Sequence, residues 1–235
     1  ELWENRNSAA DETELMARAE QYPADADLPG EPGQGPLILT CGVDCQHKYM
    51  QYEIVGWARY GESWGIRTGY IPGAPDDDKT WEQLDSIISR VYKFQNGRGL
   101  RVMLTFIDSG DGNFTNEIAK RCKRRQQANV FAVKGNGQPG RPFITPPNRV
   151  PISENKRNTY ILYNIGVNAG KSAIMNAVQV QEPGPNYMHF PGEDRGYDLN
   201  FFAGLLSEVE VAVGNVMKWQ KLPGHERNEA LDIRN

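Results

Sequence analysis

Residues 37–71 read LILTCGVDCQHKYMQYEIVGWARYGESWGIRTGYI. Three apolar runs, LILTCGVDC (37–45), QYEIVGWARY (51–60) and SWGIRTGYI (63–71), are parted only by short polar or Gly-bearing breaks. Breaks that short return the chain to a neighbouring antiparallel strand, so the stretch predicts a three-stranded meander. Further on, RVMLTFID (101–108) is apolar almost throughout, the mark of a central strand covered on both faces. Between them, after the loop PGAPDDD, Thr80 is placed to cap a helix reaching about Phe94, with Trp81, Leu84, Ile87, Ile88 and Val91 on one face. A helix over 113–126, strand VFAVKG (130–135), a Gly- and Pro-rich loop and strand TYILYNIG (159–166) continue a strand-helix alternation. Helices over 169–178 and 197–207, a hairpin EVEVAVGNVMKWQKL turning at Gly214-Asn215, and a last helix from about Glu226 complete the chain. A meander followed by alternation predicts an α/β fold, a mixed sheet with helices on both faces.

At 235 residues the chain is long enough for one domain with a real core and an appendage. The appendage is legible at the start. Residues 7–20 look like an acidic helix with Leu15, Met16 and Ala19 as a thin stripe, and PADADLPGEPGQGP (23–36) has the composition of a linker. Residues 1–36 thus read as an acidic N-terminal segment and linker, and 37–235 as the domain. No apolar run approaches the roughly 18 residues of a membrane span. Cys41, Cys45 and Cys122 make neither an even disulfide set nor a CxxC pair, which suits a reducing cytoplasm.

Net charge is only -4, but it is unevenly spread. Residues 1–36 carry nine acids against Arg6 and Arg18, whereas residues 118–158 carry ten Lys or Arg against Glu154 alone. Such a basic region attracts polyanions.

The stretch GVNAGKS (166–172) invites comparison with a phosphate-binding P-loop. That pattern needs four residues between its first Gly and Gly-Lys-Ser, and here Ile165 stands where the first Gly belongs. Gly166 leaves one residue too few to wrap a triphosphate. The reading favoured is a strand ending in Gly and a helix capped by Asn168, with Gly166 and Gly170 permitting close approach.

Two aspartates end apolar strands: Asp44 in GVDCQ and Asp108 in FIDSG. A carboxylate so placed must be solvated, paired or bound to a cation. Ligand sites in open α/β sheets gather at the carboxyl ends of strands, and two such strands set side by side would hold the acids about 5 Å apart. A divalent cation resolves that repulsion. For Asp108 the competing role is a cap on the Ser-Gly turn. A third acidic element is HERNEALD, where His225, Glu229 and Asp232 would share a helix face and offer another oxygen ligand to a hard cation.

GVDCQ on a first strand, W-x-R-Y-G-E-S-W in the hairpins, FIDSG, VFAVKG, YNIGVNAGK, MHFP and the terminal RNEALD together resemble the nuclease domain of the phage terminase large subunit of the lambda GpA type, over about residues 37–235. The resemblance implies a ribonuclease H-like fold and a metal-dependent endonuclease that cuts concatemeric double-stranded viral DNA in packaging. Its acids map to Asp44, Asp108 and, in RNEALD, Asp232 with Glu229 as competitor. The implied cofactors are two Mg²⁺ or Mn²⁺ ions, with Asp44 bridging and Asp108 and Asp232 each holding one. The implied partners are a small terminase subunit and the portal, with a packaging ATPase domain in the full-length protein and the host bacterial cytoplasm as location. DNA contacts are expected from Lys120, Arg121, Lys123, Arg124, Arg125 and Lys134 and from Lys171 at the start of the GKS helix. Rival readings are a ribonuclease H or junction resolvase on the same fold, a non-catalytic DNA or portal docking module, and an NTPase.

Overall fold

The runs of residues 37–71 do pair as a meander. In the computed structural model, which describes residues 11–235 apart from 111, 154, 215 and 226, helix α1 (Glu12–Ala17) precedes strands β1 (Ile38–Cys45), β2 (Tyr49–Trp57) and β3 (Ser63–Pro72). Helix α2 (Asp78–Ser89), a small pair β4 (Tyr92–Lys93) and β5 (Gly99–Leu100), strand β6 (Val102–Asp108), helix α3 (Thr115–Arg124) and strand β7 (Val130–Asn136) follow. Then come β8 (Asn148–Ile152), β9 (Asn155–Gly166), α4 (Val167–Val178), β10 (Met188–His189), α5 (Leu199–Leu205), the hairpin β11 (Glu208–Val213) and β12 (Val216–Lys221), and α6 (Glu229–Arg234).

One sheet of eight strands runs in the order β10-β3-β2-β1-β6-β7-β9-β8. The meander β1-β2-β3 is antiparallel, and β6, β7 and β9 add in parallel to β1. This is the mixed sheet, meander first and parallel strands after, that the sequence predicts. Alternation along each strand separates two cores. Cys41, Val43 and Cys45 of β1, with Ile107 of β6, pack against Trp81, Leu84 and Ile88 of α2 and Ile118 and Cys122 of α3. On the other face α1, α4, α5 and α6 share a second core through Leu15, Ile174, Phe202 and Leu231.

Several boundaries differ from those expected, for physical reasons. Asp77 caps α2 by accepting from the Lys79 N–H at 2.9 Å, whereas Thr80 is fully buried. The helix stops at Ser89 because Tyr92–Lys93 pairs with Gly99–Leu100. Strand β8 lies within the basic loop; its Pro151 is tolerated because β8 is the sheet's edge. Helix α4 begins at Val167, so residues 167–172 are already helical and Asn168 does not cap: its amide donates to the Gly137 carbonyl at 3.2 Å. Asp198 caps α5, accepting from Phe201 N–H at 2.8 Å. The Gly214-Asn215 turn and the expected helix start at Glu226 involve residues outside those described; α6 itself begins at Glu229. The expected linker packs against the sheet: Leu28 is buried in the larger core, and the Arg195 guanidinium donates to the carbonyls of Pro23 and Ala26 at 2.9 and 2.7 Å.

Candidate active site

Parallel pairing of β1 with β6 sets Val43 level with Ile107, so the next residues, Asp44 and Asp108, stand side by side at the carboxyl ends of adjacent strands. Both point to the face that carries α6, away from the core under α2. Helix α6 lies directly over β1, and Gly42 makes this possible: a Cβ there would sit 2.1 Å from the Ile233 carbonyl oxygen. The helix brings Asp232 to the same cleft of about 460 Å³, whose walls include Asp44, Asp108, Asp232, Phe106, Val133 and Phe143.

An ion pair anchors α6. Glu53 is fully buried in mid-strand β2 and accepts from Arg234 Nη1 at 2.5 Å and from the Tyr197 hydroxyl at 3.0 Å; Arg234 Nη2 donates to Ser63 Oγ at 3.1 Å. A lone buried carboxylate is costly, and the guanidinium compensates it. Because Arg234 is two residues beyond Asp232, this pair fixes the helix that bears the acid.

Each carboxylate of the trio engages a protein donor. Asp44 accepts from the Gln46 amide at 2.6 Å, and Asp108 accepts from Gly110 N–H at 2.9 Å, so it caps the Ser-Gly turn as well as facing the cleft. Asp232 is held by Lys171 Nζ at 3.1 Å and Asn228 at 2.8 Å. Burial pushes Asp44 up to about 6; the carboxylates of Asp108, Asp232 and Glu229 add to the rise and the Gln46 hydrogen bond opposes it. Burial also raises Asp232, against the pull of Lys171. In these positions no group of three His, Cys, Asp or Glu side chains among the described residues is gathered tightly enough to hold an ion. The donor set itself, three carboxylates at one cleft, has the all-oxygen chemistry that suits a hard divalent cation.

Glu229 faces the neighbouring side of α6, accepting from the Tyr49 hydroxyl at 3.0 Å and pairing with Arg227 at 3.4 Å. His225 does not share a helical face with Glu229 and Asp232: it precedes α6, and its Nδ1 meets the Ala203 carbonyl at 3.1 Å.

The basic residues are dispersed. Lys171 is 4 % exposed and bridges Glu208, at 2.8 Å, to Asp232. In this state it is a counter-ion of the acidic cluster rather than an open phosphate contact. Helix α3 is on the face opposite α6. Its Arg121 is buried and bonded to Asp78, Glu117 and the Asp76 carbonyl; Arg125 grips Asp85 at 2.7 Å and lies over Trp81. These two guanidinium groups join α3 to α2. Lys120, Lys123 and Arg124 are exposed on that same helix, and Lys134 is exposed at the carboxyl end of β7.

A family model described as the terminase large subunit gpA, endonuclease domain, matches residues 1–235. The chain belongs to this family. Among terminases it is 30 % identical to the large subunit of Escherichia phage lambda over 239 residues, covering 99 % of this chain and 35 % of that protein. It is 28 % identical to the large subunit of Enterobacteria phage P21 over 211 residues, covering 83 % and 31 %. The chain therefore spans about a third of the length of these terminase large subunits. A crystal structure of the large terminase nuclease from thermophilic phage G20c is similar over 93 % of this chain and 92 % of that one, with TM-score 0.44 and 12 % identity.

Sequence reasoning missed Glu53, Arg234, Glu208, Gln46 and Gly42 as residues that shape or neighbour this cleft. Glu53 did leave a signal, a charge inside the apolar run QYEIVGW, which requires a partner without naming it.

Proposed function

We propose that this terminase nuclease domain is a divalent-cation-dependent endonuclease that cuts concatemeric double-stranded phage DNA during genome packaging. The observation that carries the reading is the convergence of Asp44, Asp108 and Asp232, from three distant parts of the sequence, on one cleft, with Asp44 pushed up to about 6. Asp44, central on the sheet, with Asp108 and Asp232 beside it, would hold the cations in this reading, and Glu229 is the alternative on α6. Two Mg²⁺ or Mn²⁺ ions, when bound, activate a water and stabilise the leaving 3' oxygen.

The chain supplies position and charge. Glu53 and Arg234 fix α6 so that Asp232 faces β1 and β6, and Lys171 neutralises Asp232 and Glu208 until cations bind. Phe106 and Val133 give the cleft an apolar wall that restricts water. No protein nucleophile is invoked: His189 is bonded to Glu20 and Glu62, His225 to a carbonyl, and His47 packs on Phe114.

In the same proposal residues 37–235 are the nuclease domain and residues 1–36 the segment leading from a packaging ATPase in the full-length protein. A small terminase subunit supplies site recognition, the portal is the docking partner, and the host cytoplasm is the setting. Among the described residues no helix is long and apolar enough to cross a membrane. The test is plasmid cleavage in Mg²⁺, Mn²⁺ and EDTA. Wild-type protein should nick and linearise duplex DNA only with metal, and Asp44→Asn should lose at least about a hundredfold in rate. Nicking by Asp44→Asn at the wild-type rate contradicts the assignment; metal-independent binding with no cleavage favours a docking module, and preference for hybrid or junction substrates favours the ribonuclease H or resolvase reading.

A further inference from the structure

Tyr70, Gln51, Asp44 and Asp108 stand on the adjacent strands β3, β2, β1 and β6. Register places them on one line across the sheet: Tyr70 is level with Gln51, Gln51 with Asp44, and Asp44 is beside Asp108. Partners opposite one another share a face, so all four side chains leave the sheet on the side of α6. Adjacent strands are about 4.8 Å apart, which puts Tyr70 on the order of 10 Å from Asp44. That is about three base-pair rises along the axis of a B-form duplex.

Arg227, just before α6, stands over Tyr70. Its guanidinium carbon is 5.3 Å from the Tyr70 ring centre and 5.6 Å from that of Tyr49, and these two rings meet edge to face at 5.5 Å. Nη2 donates to the Tyr49 and Tyr70 hydroxyls at 3.0 and 3.4 Å, and Nε faces Glu229 at 3.4 Å. These contacts orient the guanidinium without covering it: the Arg227 side chain is 54 % exposed and Tyr70 is 53 % exposed. Among the described residues Nη1 has no hydrogen-bond partner. A pre-oriented cation with an open donor edge beside an open aromatic face matches a nucleic-acid backbone, with phosphate for the guanidinium and sugar or base for the ring.

We propose that Arg227 and Tyr70 form a DNA-strand subsite flanking the carboxylates, Arg227 binding one backbone phosphate and Tyr70 supporting the adjacent sugar or base. The inference rests on the nuclease reading for the identity of the polyanion. It places the DNA path across the carboxyl ends of β3, β2, β1 and β6, on the α6 side, instead of along the basic helix α3. The competing role for Arg227 is a brace for Glu229 alone, which leaves DNA affinity untouched.

The experiment measures binding of a short fluorescent DNA duplex by anisotropy, in EDTA, over a series of salt concentrations. With no divalent cation present it reads the subsite separately from the carboxylates, while cleavage by wild type and Asp44→Asn in Mn²⁺ tests the nuclease reading. Arg227→Gln should weaken binding several-fold and reduce the slope of log Kd against log salt by about 0.9, the loss of one phosphate contact. Arg227→Lys should keep the slope. Tyr70→Ala should weaken binding by about tenfold with the slope unchanged. Wild-type slope and affinity in Arg227→Gln, wild-type affinity in Tyr70→Ala, or no binding of duplex by the wild type at low salt overturns the proposal. Circular dichroism melts verify folding, and if Arg227→Gln does not fold, Arg227→Lys and Tyr70→Ala decide.

Discussion

Asp44 holds a proton more tightly in the folded chain than an ordinary carboxyl does, because burial and three neighbouring carboxylates disfavour its charge. A group whose folded pKa is raised makes the folded state bind more protons, so stability falls as pH rises from the usual carboxyl value near 4 through about 6. Once ionised without metal, it costs the fold up to about 3 kcal/mol. Asp44→Asn should therefore melt several degrees above wild type at neutral pH in EDTA and lose that advantage below pH of about 4; equal melting temperatures across the range contradict the shift. Lys171 makes the opposite case. It is buried between Glu208 and Asp232. Lys171→Met strands the nearly buried Glu208 and should lower unfolding free energy by roughly 3 kcal/mol in urea titration, where a surface lysine would change it by less than about 0.5. Both aspartates were legible in sequence because a carboxylate ending an apolar strand needs a reason. Lys171 was not: GKS after a strand reads as an anion motif, and only the packing of β11 and α6 against α4 reveals that its anions are the protein's own.

At the scale of the element, α6 is short and depends on its tertiary contacts. Two devices hold it. Gly42 lets its backbone approach β1, and Glu53 with Arg234 ties it to β2. Gly42→Ala drives a methyl against a carbonyl that cannot yield without moving the helix. Its metal-dependent cleavage should fall at least about tenfold while the rest of the domain still melts cooperatively; unchanged cleavage would show that α6 does not position the third acid. Arg234→Met leaves Glu53 buried without its counter-ion and should cost about 3–5 kcal/mol, with Glu53→Leu in the same chain recovering much of the loss. Additive losses in the double variant contradict the pairing. The pattern of strands and long helices was readable because its periods are 2 and 3.6. The missed strand β8 carries Arg149 and Pro151 on an edge, and the final helix was read too long because HERNEALD shows a face on paper, while its first residues in fact pack His225 against Ala203. Glu229 and Asp232 could not be separated by spacing; in the structure they line different clefts on neighbouring sides of α6.

Across the whole molecule, the sequence signalled a polyanion partner through its basic stretch, but the fold divides that stretch. Arg121 and Arg125 are spent on α2, Lys123 meets Asn158, and the exposed remainder of α3 lies behind the sheet. Composition counts charges and cannot say which are neutralised within the fold. Three carboxylates and Arg227 stand on the α6 face, and in the proposed function Asp44, Asp108 and Asp232 together bind catalytic divalent cations. The most direct measurement is anomalous diffraction from a crystal soaked in Mn²⁺. Two peaks are expected within ligating distance of Asp44, one shared with Asp108 and one with Asp232, Lys171 having withdrawn from Asp232. Peaks absent from this cleft, or found at Glu229 with Asp232 still paired to Lys171, would contradict the proposed function.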